Sequence, residues 1–217
     1  MSSCCSGPCH TTSPPPDGRY RKVLWAALLI NFVMFGVELA SSVAAGSAAL
    51  LADSVDFLGD AANYGVSLFV LGMAAIWRAR AAYAKGVVMG VFGVLVLARA
   101  LWSGMSGQVP HADTMGVVSI AAFAANGVVA AMLYAFRNGD ANMRSVWLCT
   151  RNDMIGNLAV MLAALGVFGT QAGWPDIVVA SIMALLGLSA ARAIIRQARG
   201  EMRAQAAPVL VRVSSRT

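Results

Sequence analysis

Six apolar stretches, each close to the length of a bilayer crossing, leave this chain of 217 residues few ways to fold. They run Leu24–Ala45, Ala48–Trp77, Val87–Gly104, Met115–Phe136, Val146–Thr170 and Trp174–Ile195. A helix needs about 20 apolar residues to cross the hydrocarbon, where only helices and closed barrels satisfy their own backbone. Composition agrees: 59% of the residues are hydrophobic and 12% charged, against about 45–50% and 25% in a soluble domain. An ordinary soluble enzyme, a disordered chain and a nucleic-acid-binding module are thereby excluded. The expected fold class is an all-α integral membrane protein, a six-transmembrane-helix bundle. Gly46 and Ser47 alone separate spans one and two, and Gln171–Gly173 separate five and six. Span two, at about 30 residues, is expected to tilt or project into water.

The basic residues set the orientation. Arg19, Arg21 and Lys22 precede span one; Arg78, Arg80 and Lys85 lie between two and three; Arg137 and Arg144 lie between four and five. Arg192, Arg196, Arg199, Arg203, Arg212 and Arg216 end the chain. The alternate loops hold no Lys or Arg, so the positive-inside rule puts both termini in the cytoplasm. A nucleic-acid surface would not skip every second loop, and the net charge of +6 belongs to the membrane face. Reading span one as a cleaved signal peptide would leave five spans and spoil the alternation, and its polar leader is too long. The chain divides into a disordered Cys/His-rich leader (1–18), a transport domain (19–199) and a short basic tail (200–217).

Glu38, Asp53, Asp56, Asp60 and Asp153 lie in the body of the spans, as do Arg99 and Arg151. A charge at the bilayer centre costs about 2.5–3.5 kcal/mol on insertion scales, so such residues face the bundle interior and serve a function. Asp56 and Asp60, at i and i+4, share one helical face about 40° apart. Asp153 and Asn157 repeat the spacing in span five, with Asn152 adjacent. At 1.5 Å per residue both pairs fall about 12–18 Å from their entry surfaces, the same level near the midplane. Three carboxylates and an amide in one small volume need either protons or a divalent cation. That is the chemistry of a proton–metal exchanger. Pairing of these acids with Arg99 and Arg151, or hydrogen bonding between helices, is the purely structural alternative. Asp53, nearer the outer surface, reads as an entrance residue or a partner of Arg99. Glu38 reads as a proton relay or as a hydrogen-bonded residue supporting packing or gating.

The stretch ELASSVAAGSAALLADSVDFLGD, Glu38 to Asp60, resembles the first hairpin of the cation diffusion facilitator family of divalent-metal exporters. NDMIGNLAVMLAA resembles that family's helix-five motif, with Asp153 and Asn157 where His and Asp are commonest. The resemblance covers about Arg19–Arg199. It implies that Asp56, Asp60, Asp153 and Asn157 form a metal transport site with H⁺ as counter-ion, no permanently bound cofactor, no enzymatic activity, and a homodimer in a cell membrane, such as a bacterial inner membrane. Family members generally carry a ferredoxin-like cytoplasmic domain after helix six. The tail here is too short for one, so a truncated form is expected, with dimerisation through membrane contacts alone. An oxygen-only site leans towards Mn²⁺ or Fe²⁺.

The leader holds Cys4, Cys5, Cys9 and His10, followed by TTSPPPDG. Such a segment builds no core, and disulfides do not persist in a reducing cytoplasm. Three thiols and an imidazole form a possible Zn²⁺, Cd²⁺ or Cu⁺ site; an incidental polar tail is the other reading. Delivery from this end favours Zn²⁺ or Cd²⁺ over Mn²⁺; Zn²⁺ is the leading cargo, with Cd²⁺, Co²⁺, Mn²⁺ and Fe²⁺ open. Cys149 and the methionines read as packing. Gly65, Gly72, Gly90, Gly93, Gly156, Gly166 and Gly187 read as places of close helix approach. Pro110 and Pro175 fall at outer loops, Asn31 and Asn126 as amides bridging helices, and His111 as a lone loop residue. A membrane-anchored metal chaperone or receptor, in which the leader matters and the bundle is an anchor, and a passive cation channel are the competing functions.

Overall fold

The computed structural model describes residues 18–69, 75–136 and 141–206 and, within these, all side chains except those of 69, 75, 78, 141–149, 151, 152 and 206. The expectations for Cys4, Cys5, Cys9, His10 and for the side chains of Cys149, Arg151 and Asn152 lie outside the described residues. The described residues form six helices: α1 Gly18–Ala45, α2 Ala48–Phe69, α3 Ala75–Ser106, α4 Ala112–Tyr134, α5 Ala141–Thr170 and α6 Trp174–Ala206. Five of them hold stretches long and apolar enough to cross a membrane; α2, which carries Asp53, Asp56 and Asp60, is the exception.

Two boundaries differ from the hydropathy reading. Span two does not run on to Trp77: α2 ends at Phe69, and Trp77 belongs to α3. Hydropathy alone does not separate Phe69 from Ala75, because the sequence between them is apolar as well. Arg80 and Lys85 accordingly sit on α3, where Arg80 lies over the Trp77 ring at 4.9 Å. Span six continues past Ile195 to Ala206, so Arg196, Arg199 and Arg203 are helical.

The bundle is packed inside out relative to a soluble protein. On α1 the buried stripe is Tyr20, Leu24, Ala27, Asn31, Glu38, Ser42 and Ala45, while Leu29, Phe32 and Val33 are exposed. Lipid tails solvate large aliphatics as well as a core does, so helices associate through small and polar residues. The main packing pairs are α3 with α6, α1 with α2, and α4 with α5; α2 also touches α3, α5 and α6, which makes it the central helix. Close approach explains some glycines. A Cβ on Gly93 would lie 2.9 Å from Leu188 Cγ and one on Gly166 2.9 Å from Pro175 Cβ; Gly86, not expected, is equally tight at 2.8 Å from Ile195 Cγ1. Gly187 faces open space instead.

Two apolar clusters lie at different heights. The outer one joins residues of all six helices, among them Ala45, Leu50, Val55, Val96, Met115, Val160 and Val167. The inner one joins Tyr20, Leu24 and Ala27 of α1 to Tyr64 and Leu68 of α2 and to Val129 and Leu133 of α4. Between them lies a polar layer.

The outer rim is held by directional bonds. Gly46 ends α1 at φ +70°, the left-handed residue that closes a helix, and Ser47 caps α2 by accepting from Leu50 N at 3.0 Å. Asp176, in the first turn of α6, accepts from Ser47 Oγ at 2.6 Å, Ala48 N at 2.9 Å and Ala49 N at 3.0 Å. One carboxylate from α6 therefore completes the cap of α2, where the helix dipole favours an anion. Pro175 is not a loop residue but the second residue of α6, in the first turn that tolerates a missing N–H.

Candidate metal-transport site

The polar layer has two levels, one helical turn or more apart along α2. At the inner level the side chains of Asp60 on α2 and Asp153 on α5 meet within hydrogen-bonding reach, and Lys85 of α3 lies within Coulombic range of Asp60. Lys85 Nζ also donates to Asn63 Oδ1. Asp60 is 7% exposed. Just below, Tyr64 and Thr150 hydroxyls bond at 2.6 Å and tie α2 to α5.

At the outer level three helices are laced by amides. Asn126 Nδ2 of α4 donates to Asn157 Oδ1 of α5 at 2.8 Å, and Asn157 Nδ2 donates to Asp53 Oδ2 of α2 at 2.8 Å. Glu38 of α1 places its carboxyl beside that of Asp53. Glu38, Asp53, Asn126 and Asn157 are all buried. Neither carboxyl oxygen of Glu38, nor Asp53 Oδ1, meets a hydrogen-bond partner among the described residues. Acidic oxygens in hydrocarbon without donors are costly, and a fold that keeps them uses them.

The four residues expected to form the site are thus divided. Asp60 meets Asp153, and Asn157 holds Asp53. Asp56 is half-buried between the levels, within Coulombic range of Glu38. Among the described residues no three His, Cys, Asp or Glu side chains are gathered closely enough to hold a metal ion. Asp53 is neither an entrance residue nor the partner of Arg99: it is fully buried and bonded to Asn157. Arg99 instead donates to Gly46 O at 3.2 Å and lies within Coulombic range of Asp176. Asp53 and Asp56 are three residues apart, so their side chains differ by about 60° around the axis of α2, and that rotation turns Asp53 inward, which depth along the helix axis does not reveal. Glu38 lies beside Asp53 and accepts from no fixed donor among the described residues. Asn126 does bridge helices, whereas Asn31 donates within α1 to Ala27 O at 2.8 Å.

Four participants were not legible in the sequence. Lys85 was counted as a loop cation, and Asp176, Tyr64 and Thr150 were not singled out. For Lys85 the usable clue is that it lies about one hydrocarbon thickness before the end of α3, so its side chain reaches polar partners of the bundle.

The arrangement supports ion exchange rather than bond chemistry: oxygen donors from antiparallel α2 and α5 converge in a buried layer, beside the Lys85 ammonium. Two carboxyls can share a hydrogen bond only with a proton between them, because an ionised carboxylate accepts and does not donate. The sequence matches the family described as the cation efflux transmembrane domain over residues 24–202. No curated protein sequence matches the chain.

Proposed function

We propose, from the premise that the chain belongs to the cation diffusion facilitator (cation efflux) family and carries cations across a membrane, that it exports a divalent transition-metal ion from the cytoplasm in exchange for protons. The observation that carries this reading is the meeting of the Asp60 and Asp153 carboxyls in the membrane interior. Asp60, Asp153, Asp56 and Asn157 are the metal donors, with Asp53 and Glu38 one level further out. The pair holds a proton or a cation and is costly with neither. M²⁺ entering from the cytoplasm displaces protons, α2 and α5 shift together, and external protons displace the ion. Lys85 supplies a counter-charge to Asp60 that moves away when the metal arrives. Zn²⁺ is the leading cargo, with Cd²⁺, Co²⁺, Mn²⁺ and Fe²⁺ as competitors, and the working form is a homodimer in the cell membrane.

The apolar cluster outside the site favours this carrier over a passive channel, because all six helices contribute packed Ala, Val and Leu side chains across the path. The test uses the full chain in liposomes filled with a metal-sensitive dye. Metal accumulation should follow an imposed pH gradient, and Asp60→Ala should abolish it. Flux driven by voltage alone, indifferent to the pH gradient, would establish the channel instead. Retained flux in Asp60→Ala with loss on removing the first 17 residues would establish the leader as the functional element.

A further inference from the structure

At the cytoplasmic end of the α3–α6 pair, away from the polar layer, a groove of about 570 Å³ is lined by Arg192, Arg196, Arg199 and Arg203, with Leu188 and Ile195 forming apolar wall. The spacing of the four arginines confines them to a stripe about 60° wide on α6. Counted from Trp174 at 1.5 Å per residue, Arg192 lies about 27 Å and Arg203 about 44 Å along α6. The stripe therefore begins where a hydrocarbon layer of about 30 Å ends and continues through the headgroup zone. Gly90 of α3 opens the apolar floor. Arg199 is held in place by Tyr83 of α3, whose hydroxyl accepts from Nη2 at 3.2 Å and whose ring lies 5.4 Å from the guanidinium. No acidic residue lines the groove among the described residues. The nearby Glu201 projects from the opposite side of α6, where Gln197 Nε2 donates to it at 3.0 Å.

We infer that this groove binds an anionic phospholipid of the cytoplasmic leaflet, the phosphate on the arginines and an acyl chain along Leu188 and Ile195. Planar guanidinium forks pair with phosphate in bidentate fashion, and a basic cleft between membrane helices at this depth fits such a headgroup. The lining interleaves Leu188, Ala191 and Ile195 with the four arginines, a mixture of apolar and cationic surface that matches an amphipathic lipid and not a free anion.

The experiment quantifies lipid that stays with the purified full chain after delivery of phosphatidylglycerol and phosphatidylcholine in equal amounts. Wild type should retain the anionic lipid in about tenfold excess after a low-salt wash and lose that excess in 0.5 M salt, where screening shortens to a few ångströms. R196Q/R199Q should cut the excess about tenfold, and R19Q/R21Q, which removes charge elsewhere on the same membrane face, should leave it intact. Equal retention of the two lipids by wild type, or a preference that 0.5 M salt leaves unchanged, would overturn the inference without reference to any variant. So would a change of oligomeric state in R196Q/R199Q with lipid retention intact, which would make the groove a protein interface.

Discussion

The outer rim and the polar layer both bury carboxylates, and they treat them in opposite ways. Asp176 receives three hydrogen bonds and has Arg99 nearby. Glu38 receives none from the described residues, and Asp53 has one oxygen bonded and one bare. A carboxylate satisfied by fixed donors is part of the scaffold, because displacing its donors costs the full desolvation of each group. A carboxyl left short of donors is ready for a mobile partner. On the proposed function, the contrast separates acids that hold the bundle from acids that serve transport, although both are buried.

This comparison breaks if the two classes respond alike to substitution. The largest effect is expected for Asp60→Ala: pH-driven metal flux falls at least a hundredfold while the thermal unfolding temperature holds or rises, since a buried acid is removed. Asp176→Asn should do the reverse. It loses a charged acceptor of three bonds, costing about 3 kcal/mol, visible as earlier unfolding in detergent, with flux per folded molecule near that of wild type. Asn157→Ala sharpens the boundary, because it removes the link between Asn126 and Asp53. It should cost about 2 kcal/mol from the orphaned groups and lower flux about tenfold. Glu38→Gln should have the smallest effect on stability, within about 1 kcal/mol, because there is no donor to lose. A large stability loss in Glu38→Gln would show that this acid belongs with the scaffold after all.

Much of the bundle was legible because membrane insertion is a one-dimensional problem. The helices and the shared level of Asp60 and Asp153 follow from hydropathy and a fixed rise per residue, and Lys/Arg alternation picks out the basic face. Phe69 and Trp77 read as one span because the sequence between them is apolar throughout. Asp53 and Arg99 were paired on depth alone, yet the rotation of α2 turns Asp53 to Asn157 and leaves Arg99 with the Gly46 carbonyl. Asp176 escaped notice because an acid in a first helical turn suits its own helix, and here it serves another.

By itself, then, the sequence determined that the chain crosses a membrane, which face is basic, and that acids sit deep in the hydrocarbon, since these depend on local composition and distance along each helix. Only the tertiary structure decided that Asp60 meets Asp153, that Asn157 serves Asp53, and that Asp176 caps α2. Those pairings depend on how each helix is rotated and which neighbours it packs against, and neither is written in the spacing of a single strand of residues.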